Sequence, residues 1–473
     1  MNRLTAVFAF ALLACAGQEP DYEPHILAVE NALQPTVVIS GEPVETATLA
    51  ERMERHKVPA VSIAVINGGA IEWARAYGMA DVEEQRPATA RTLFQAASIS
   101  KPVAALAALK FVRDGALQLD QNVNDVLTSW KIPENEHTAV KPVTLRGLLT
   151  HSAGTTVSGF PGYERDDSIP STIGVLDGEG NTVPIRVDID PGSQWRYSGG
   201  GYTVVQQLLT DVAGKPFPQI MQETVLGPIG MRESTYEQPL PEPRWADAAT
   251  AYREDGTAVE GKWHVYPEMA AAGLWTTPSD LARFAIEVQK EYAGTSETVL
   301  SADMARQMLT PDGNSWGLGP PISGDGERFS HGGSNEGFRC YFFATIDGDH
   351  GAVVMTNSDS GGELMNEILI TLAKEYGWSG YEPVEKTVAA VSPGLLGEYA
   401  GRYELEELGV ITLEADERGL WADVPTMGRV ELLPESDTEF FSREDGTKIT
   451  FRREDGRVVG FTVENAFARK LDE

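Results

Sequence analysis

Cysteine is nearly absent from this 473-residue chain, which contains only Cys15 and Cys340. Cys15 lies at the end of an N-terminal leader, so we expect no intrachain disulfide in the mature protein. Stability must then come from an apolar core. With 42% hydrophobic residues, a chain of this length can bury such a core in one large domain or two ordinary ones.

Basic residues are also scarce, with 38 Lys and Arg against 70 Asp and Glu and a formal net charge of −32. Such a surface repels phosphate groups, so the charge argues against nucleic acid and anionic membrane surfaces as partners. The 7 histidines are scattered and show neither His-x-His nor His-Glu-x-x-His spacing. We therefore expect no metal site and no cofactor.

Residues 1–15 contain one basic residue, a short apolar run and small residues. This is the pattern of a secretory signal peptide, and it is too short to span a membrane. The ending Leu12-Leu-Ala-Cys15 resembles a bacterial lipobox, which predicts a lipid anchor on Cys15; the alternative is ordinary cleavage a few residues later. In both cases we expect an exported protein, periplasmic or held at the membrane only by that lipid. A polar N-terminal segment follows over residues 16–45.

Strand patterns occur early and late in the chain. Residues 60–66 and 71–78 are β-rich runs around an Asn-Gly-Gly turn, which predicts a hairpin. Further strands are predicted at 338–345 and 351–356, and helical patterns lie between and after these strands. The sequence thus predicts an α+β domain over residues 46–380, with an antiparallel sheet, flanking helices and a helical subdomain.

The last part of the chain has a different pattern. A Glu/Val/Ala/Pro-rich stretch at about residues 383–393 is typical of a linker. After it, short runs of β-forming residues alternate with turn signals, including two Glu-Asp-Gly turns. This pattern predicts a small all-β sandwich or barrel over residues 390–473, and no catalytic set of residues lies in it.

The stretch around Ser98 and Lys101 is the strongest candidate for a catalytic site. From Pro102 onward, apolar residues and alanines predict a mostly buried helix, so Ser98 lies at or just before its N-terminus. At i, i+3 spacing, Ser98 and Lys101 share one face of the first turn. A lysine in apolar surroundings loses hydration and can take a proton from a nearby hydroxyl. The structural alternative is that Ser98 or Ser100 caps the helix while Lys101 reaches for water.

Two further motifs follow in order. Tyr197 stands in an Arg-Tyr-Ser-Gly turn just before a helix, and His331 stands in a Ser-His-Gly-Gly-Ser stretch that leads into a strand. With Ser-x-x-Lys, this order and spacing resembles the β-lactamase-related serine hydrolases, which include class C β-lactamases, DD-carboxypeptidases, D-aminopeptidases and certain carboxylesterases. The resemblance covers about residues 45–378 and implies a β-lactamase/transpeptidase-like fold. The tail resembles the lipocalin-like barrel that many of these proteins append.

The resemblance implies a role for each motif. Ser98 would be the acylated nucleophile, Lys101 its activating neighbour, and Tyr197 the group that shuttles protons and protonates the leaving group. His331 stands where β-lactamases have the lysine of Lys-Thr-Gly. The oxyanion hole would consist of the backbone N–H groups of Ser98 and Ser334. Substrate-binding positions implied in the same way are Gly199, Gly332 and Gly333.

Two departures from the family pattern bear on the substrate. The second motif usually reads Tyr-x-Asn but is Tyr197-Ser-Gly199 here, and Lys-Thr-Gly does not occur in the sequence. His331 can be neutral at pH 7, which weakens binding of a substrate carboxylate. We therefore predict a serine hydrolase of small esters or amides, of carboxylesterase or D-aminopeptidase type. A β-lactamase or DD-carboxypeptidase is the alternative within the family, and an inactive penicillin-binding-type sensor is the alternative of another class.

A second serine also fits a nucleophile motif. Gly313-Asn-Ser315-Trp-Gly317 matches Gly-x-Ser-x-Gly, the nucleophile elbow of α/β-hydrolases, which requires a helix after the serine. The Gly- and Pro-rich residues that follow cannot form one, so Ser315 is predicted not to be catalytic. His151, in a Thr-His-Ser-Ala-Gly turn, is predicted to have a structural role.

Overall fold

The structure is a computed structural model, which describes residues 23–405, 409–425, 428–463 and 466–471. The predicted leader, with Cys15 and its lipid anchor, lies outside the described residues. Over the described ranges, no helix is both long enough and apolar enough to cross a membrane.

Helices dominate the middle of the chain and strands dominate its end. The α-helices are α1 (Glu23–Asn31), α2 (Leu49–Arg55), α3 (Ser100–Arg113), α4 (Glu136–Val140), α5 (Leu145–Leu149), α6 (Thr172–Asp177), α7 (Gly199–Ala213), α8 (Phe217–Met221), α9 (Gly227–Ile229), α10 (Met269–Ala272), α11 (Pro278–Ala293), α12 (Ala302–Met308), α13 (Gly361–Tyr376) and α14 (Pro393–Tyr399). The β-strands are β1 (Val37–Ile39), β2 (Ala60–Asn67), β3 (Ala70–Asp81), β4 (Arg86–Pro87), β5 (Phe94–Gln95), β6 (Trp275–Thr276), β7 (Arg328–Asn335), β8 (Phe338–Thr345), β9 (His350–Thr356), β10 (Val384–Lys386), β11 (Gly401–Leu405), β12 (Gly409–Ala415), β13 (Leu420–Val424), β14 (Gly428–Pro434), β15 (Glu439–Ser442), β16 (Lys448–Glu454), β17 (Arg457–Val463) and β18 (Ala466–Lys470).

The central sheet joins early and late strands. Its six strands run in the order β4-β3-β2-β9-β8-β7, and each neighbouring pair is antiparallel. β2 and β3 form the predicted hairpin, and its turn uses Gly68 and Gly69 at φ +59° and +71°, the left-handed conformation of a tight hairpin turn. The α+β prediction is confirmed, and β7 forms one edge of the sheet.

Both faces of this sheet are covered. Along β2, Ile63 and Val65 pack on one face with Ile368 of α13, whereas Ala64 and Ile66 belong to the core on the opposite face, which contains α3 and α11. Successive side chains of a strand point to opposite faces. Because both faces are buried here, the strand is apolar apart from the buried Ser62 and the terminal Asn67, instead of alternating with polar residues.

Helix α3 lies in the larger core. Each residue from Ser100 to Leu109 is buried, and its many alanines let α7 and α10 pack closely against it. The helix begins two residues before the predicted start at Pro102. The missing N–H of Pro102 therefore falls in the first turn, where it needs no intrahelical partner.

The C-terminal part is a closed barrel. Strands β11 to β18 pair in sequence, and β11 also pairs with β18. The strand pattern alone left a sandwich open, and the barrel that the family resemblance implied is confirmed. Aromatic side chains fill its interior. The ring of Phe451 stacks on Tyr399 with centroids 3.9 Å apart and meets Phe440 at 5.4 Å.

The barrel contacts the N-terminal segment. β1 pairs in parallel with β10, and Val37 of β1 packs with Phe441 of the barrel. The carboxylate of Glu42 accepts a hydrogen bond from Arg443 at 3.0 Å. The stretch predicted to be a linker, residues 383–393, thus begins in a small two-stranded sheet.

Candidate active site

Ser98 lies in a short turn between β5 and α3. The turn is a 3₁₀ segment over Ala97–Ile99, and Ala97 has a φ of +50°, which is uncommon for a residue with a Cβ and stores strain. Ala97 and Ile99 are fully buried, whereas Ser98 is partly exposed. The turn therefore presents the Ser98 side chain while both of its neighbours anchor the backbone.

Lys101 is held against this serine. Its Nζ lies 3.0 Å from the Oγ of Ser98 and donates to the carbonyl oxygen of Ala271 at 2.9 Å. Lys101 is 2% exposed, so it does not reach bulk water. Neither serine caps the helix, because Ile99 occupies the cap position and the Oγ of Ser100 accepts a backbone N–H from another segment at 3.0 Å. The structural alternative for this stretch is wrong.

Tyr197 lies beside Lys101, in the turn just before helix α7. Ser198 is the N-cap of α7, and its Oγ accepts the N–H of Gly201 at 2.9 Å, so Tyr197 stands just before the helix as predicted. The Nζ of Lys101 lies 4.9 Å from the centroid of the Tyr197 ring. The two groups that the resemblance assigns to proton transfer are therefore neighbours.

Gly199 is buried in the first turn of α7. A Cβ at this position would lie 2.9 Å from the ring of Phe160 and 3.0 Å from the carbonyl oxygen of Ser158. The asparagine that is usual in Tyr-x-Asn would thus need these neighbours to move. Substrate binding by Gly199 stays a prediction.

His331 lies within β7, although the sequence predicted a stretch that leads into a later strand. Its side chain is 5% exposed, and its Nδ1–H donates to the carbonyl oxygen of Gly332 at 2.5 Å, which leaves the lone pair on Nε2. Burial, together with the nearby charge of Lys101, lowers the pKa of His331 to about 3. The ring is therefore neutral at pH 7. Among the described residues its Nε2 has no hydrogen-bond partner.

The glycines of β7 differ in their surroundings. Gly332 and Ser334 are exposed, whereas Gly333 between them is buried. A Cβ on Gly333 would lie 2.4 Å from the carbonyl oxygen of Ala96, so β7 packs directly on the segment that precedes Ser98. As an edge strand, β7 also has a row of backbone groups outside the sheet ladder. This arrangement suits an oxyanion hole shared between the two segments, which stays a prediction.

Asn335 was not predicted, and it fastens β7 to both neighbouring segments. Its Nδ2 donates to the Oε1 of Gln95 at 2.7 Å and to the carbonyl oxygen of Ala272 at 3.2 Å. Gln95 leads into the Ser98 turn, and Ala272 ends helix α10, which supplies the carbonyl partner of Lys101. Its signal in the sequence was an amide residue shortly before the predicted strand at 338–345.

Three aromatic rings surround Tyr197, and sequence reasoning missed two of them, Trp195 and Trp316. Measured between ring centroids, His151 lies 4.4 Å away, Trp316 5.8 Å and Trp195 6.5 Å. Trp316 also lies 5.8 Å from His331. The signal for Trp316 was an aromatic residue inside a Gly-rich loop, and for Trp195 an exposed aromatic two residues before the motif tyrosine.

His151 has the structural role that was predicted for it. Its Nδ1 accepts the backbone N–H of Ser198 at 3.0 Å, so the proton of the neutral ring is on Nε2. Burial, followed by the charge of Lys101, holds the pKa of His151 well below its ordinary value. The ring thus fixes the turn that carries Tyr197 without adding charge.

Ser315 is exposed and has a φ of +57°, and no helix follows it before the strand β7. The rejection of the nucleophile elbow is confirmed. The structure instead assembles Ser98 hydrogen-bonded to the buried Lys101, Tyr197 beside that lysine, and the edge strand β7 beside the serine turn. Those are the parts that acyl transfer requires.

Both parts of the chain match known protein families. Residues 46–374 match the family described as Beta-lactamase. Residues 385–473, which include the eight-stranded barrel, match a domain of unknown function, DUF3471.

Individual relatives show how far the similarity extends. The chain is 22% identical to Penicillin-binding protein 4* of Bacillus subtilis (strain 168) over 442 residues, 85% of this chain and 92% of that protein. It is 32% identical to esterase EstB of Burkholderia gladioli over 223 residues, 42% of this chain and 54% of the esterase. In fold it is similar to the octameric penicillin-binding protein homologue from Pyrococcus abyssi, with a TM-score of 0.60 and 21% identity over 89% of this chain and 98% of that one.

Proposed function

The chain belongs to the Beta-lactamase family of serine hydrolases, and on that premise we propose that it hydrolyses small esters or amides through an acyl-enzyme on Ser98. The observation that carries the proposal is the 3.0 Å contact between the Nζ of Lys101 and the Oγ of Ser98. A serine hydroxyl becomes an effective nucleophile when a neighbouring group takes its proton. A lysine sequestered from water is such a group.

We assign a group to each step. The Oγ of Ser98 attacks the substrate carbonyl carbon while its proton passes to Lys101 and Tyr197, and the N–H groups of Ser98 and Ser334 bind the developing oxyanion. Tyr197 donates a proton to the leaving alcohol or amine as its bond to the carbonyl carbon breaks. The same pair then takes a proton from a water molecule that attacks the acyl carbonyl carbon, and returns a proton to the Oγ of Ser98 as its bond to that carbon breaks, which releases the acid.

Three observations favour esters or acyclic amides over β-lactams as substrates. The neutral His331 offers no cation for a substrate carboxylate, because its pKa is lowered to about 3. Gly199 leaves no amide where Tyr-x-Asn proteins have one, and Phe160 occupies the space beside it. The similarity to esterase EstB, at 32% identity over 42% of this chain, supports ester substrates.

One substrate panel tests the proposal. Nitrophenyl esters of short acids, D-aminoacyl anilides and nitrocefin are given to the wild type and to Ser98→Ala, and a fluorophosphonate probe is followed by peptide mass spectrometry. We expect ester or anilide turnover above nitrocefin turnover, covalent mass on Ser98, and neither in the variant. Nitrocefin turnover equal to that of the best ester overturns the substrate class. No turnover together with no labelling supports a binding protein instead.

We also propose that the chain is exported and carries its lipid on Cys15, from the lipobox-like pattern of residues 12–15. Expression in a bacterial host with labelled palmitate, followed by fractionation, tests this. Label in the membrane fraction that disappears in Cys15→Ala supports the anchor. Export without label in the wild type supports ordinary cleavage.

A further inference from the structure

Two tryptophans form an aromatic surface beside the proposed catalytic groups. The ring centroids of Trp195 and Trp316 lie 5.3 Å apart, with the rings tilted by 42°. Trp195 is 38% exposed, and Trp316 is partly exposed. We call these two residues the tryptophan pair. An exposed indole next to a second indole is a costly arrangement in water and a good binding surface for another flat or apolar group.

The tryptophan pair lies beside Tyr197 and His331. Trp316 contacts both Tyr197 and His331, with centroid distances of 5.8 Å in each case. In the proposed mechanism Tyr197 protonates the leaving group, so the leaving group must lie beside Tyr197. The tryptophan pair is therefore the next surface that a leaving group meets beyond its reacting atom.

This side of the site offers little net charge to a ligand. His331 and His151 are buried and neutral, since burial lowers both pKa values. Arg196, between the tryptophan and the tyrosine in sequence, is engaged by the carboxylate of Asp188 and by the carbonyl oxygen of Gly154. Lys101, whose Nζ lies 4.9 Å from the centroid of the Tyr197 ring, is 2% exposed and is engaged by the Oγ of Ser98 and the carbonyl oxygen of Ala271. A carboxylate on the leaving group would therefore lose water here without gaining a free cation.

We propose that the tryptophan pair is a leaving-group subsite that takes an uncharged aromatic or branched apolar alcohol or amine. The inference rests on the proposed function, because it uses Tyr197 as the acid that protonates the leaving group. It narrows the substrate class to esters or amides whose leaving group is apolar and lacks a carboxylate.

Three acetate esters separate this subsite from general reactivity. Methyl acetate, benzyl acetate and 4-carboxybenzyl acetate all give the same acetyl-Ser98 intermediate, so differences in kcat/KM report acylation alone. The two benzyl alcohols have similar intrinsic leaving ability and differ in charge. We expect the wild type to prefer benzyl acetate over both of the others.

The informative quantity is the ratio of kcat/KM for benzyl acetate to that for methyl acetate. We expect Trp195→Ala to lower this ratio about fivefold, the effect of losing one aromatic contact, and Trp195→Phe to restore most of it. Trp316→Phe tests the second ring with less risk to folding than alanine. Trp245→Ala is the matched control, because Trp245 is 39% exposed and packs against Trp263 at a ring distance of 6.5 Å, away from Tyr197.

The outcomes separate the two proposals. An unchanged ratio in Trp195→Ala and Trp316→Phe, with Ser98 still labelled by the probe, overturns the subsite and leaves the proposed function standing. If the variants instead lower the ratio of kcat/KM for methyl phenylacetate to that for methyl acetate, the subsite is overturned as well, because these two esters differ only in the acyl group. Equal rates for benzyl and 4-carboxybenzyl acetate overturn the selection against charge. Absence of labelling at Ser98 overturns the proposed function and the subsite together.

Discussion

A Cβ atom on Gly333 would lie 2.4 Å from the carbonyl oxygen of Ala96, a separation that no side chain tolerates. Ala96 is two residues before Ser98, and Gly333 is one residue before Ser334. This contact therefore joins the two backbone segments that form the proposed oxyanion hole. Glycine is required here because of close backbone approach, not because of an unusual φ angle.

We expect Gly333→Ala to impair both stability and acylation. The added methyl group pushes β7 away from the Ser98 turn, which should cost about 1–3 kcal/mol and displace the N–H of Ser334. Gly332→Ala is the matched control for stability, because a Cβ at Gly332 meets nothing nearer than 3.7 Å. Thermal melting and probe labelling of Ser98 measure the two effects. Equal melting temperatures for the two variants would contradict the prediction.

Tyr197→Phe should lower kcat/KM for the best ester about 10²- to 10⁴-fold, the usual contribution of a general acid or base. The fold should persist, because the ring contacts with His151 and Trp316 do not need the hydroxyl. Lys101→Met should lose as much activity, because methionine cannot accept the proton of the Ser98 hydroxyl, which the Nζ of Lys101 contacts at 3.0 Å. Ester kinetics and urea unfolding test both variants. Activity within tenfold of the wild type in either would refute the assigned role.

Glu268 introduces a pH dependence of stability. Its side chain is fully buried, and in the described part of the chain neither carboxylate oxygen has a hydrogen-bond partner. Burial raises the pKa of Glu268 from 4.5 to about 7. The folded state thus holds a proton that the unfolded chain releases, so the free energy of unfolding falls as pH rises from about 4.5 to about 7.

Glu268→Gln copies the protonated carboxyl and should remove this dependence. We expect the variant to be more stable than the wild type at pH 8 by about 3 kcal/mol, with the difference vanishing near pH 4. Urea midpoints across this range measure it, and Glu260→Gln, an exposed glutamate, serves as the control. The same pH slope in wild type and Glu268→Gln would show that the carboxyl is not titrating as stated.

His331 should make the free energy of unfolding rise with pH, opposite to Glu268, and it should do so at acid pH. Its pKa is lowered from 6.5 to about 3, so the unfolded chain takes up a proton that the folded state refuses. The contribution of His331 to stability is therefore complete above about pH 6.5 and is lost as pH falls toward 3.

His331→Gln should flatten this acid loss by about 3 kcal/mol between pH 7 and pH 4. Unfolding curves at both pH values measure the change, and His137→Gln, a half-buried histidine outside the ring cluster, is the comparison. If His331→Gln loses as much unfolding free energy between pH 7 and pH 4 as the wild type, His331 is not neutral in the folded state.

Ser315→Ala should keep ester activity within about twofold of the wild type, as for other exposed positions. Ser315→Gly should be at least as stable as the wild type, because the φ of +57° at this position suits glycine better than serine. Nitrophenyl ester kinetics and melting curves check the two statements. A loss like that of Ser98→Ala would return Ser315 to the list of nucleophile candidates.

Local patterns in the sequence predicted the parts of the fold that depend on neighbouring residues. The β2–β3 hairpin follows from apolar runs around an Asn-Gly-Gly turn, and α3 from its apolar and alanine-rich face. The start of α3 differs by two residues, because a proline is compatible with the second or third helical position as well as the first. The strand pattern alone predicted a sandwich or a barrel, since such patterns do not encode whether the first strand pairs with the last, and the family resemblance supplied the barrel.

The sequence by itself determined which residues are candidates for the site: Ser98 and Lys101 stand at i, i+3 spacing, and Tyr197 and His331 complete an order of motifs. Only the tertiary structure decided what surrounds them. The carbonyl oxygen of Ala271 on Lys101 and the tryptophan pair come from segments far apart in the chain. Spacing determines contacts within one helix or strand, whereas contacts between such segments depend on how whole elements pack, which no local pattern specifies.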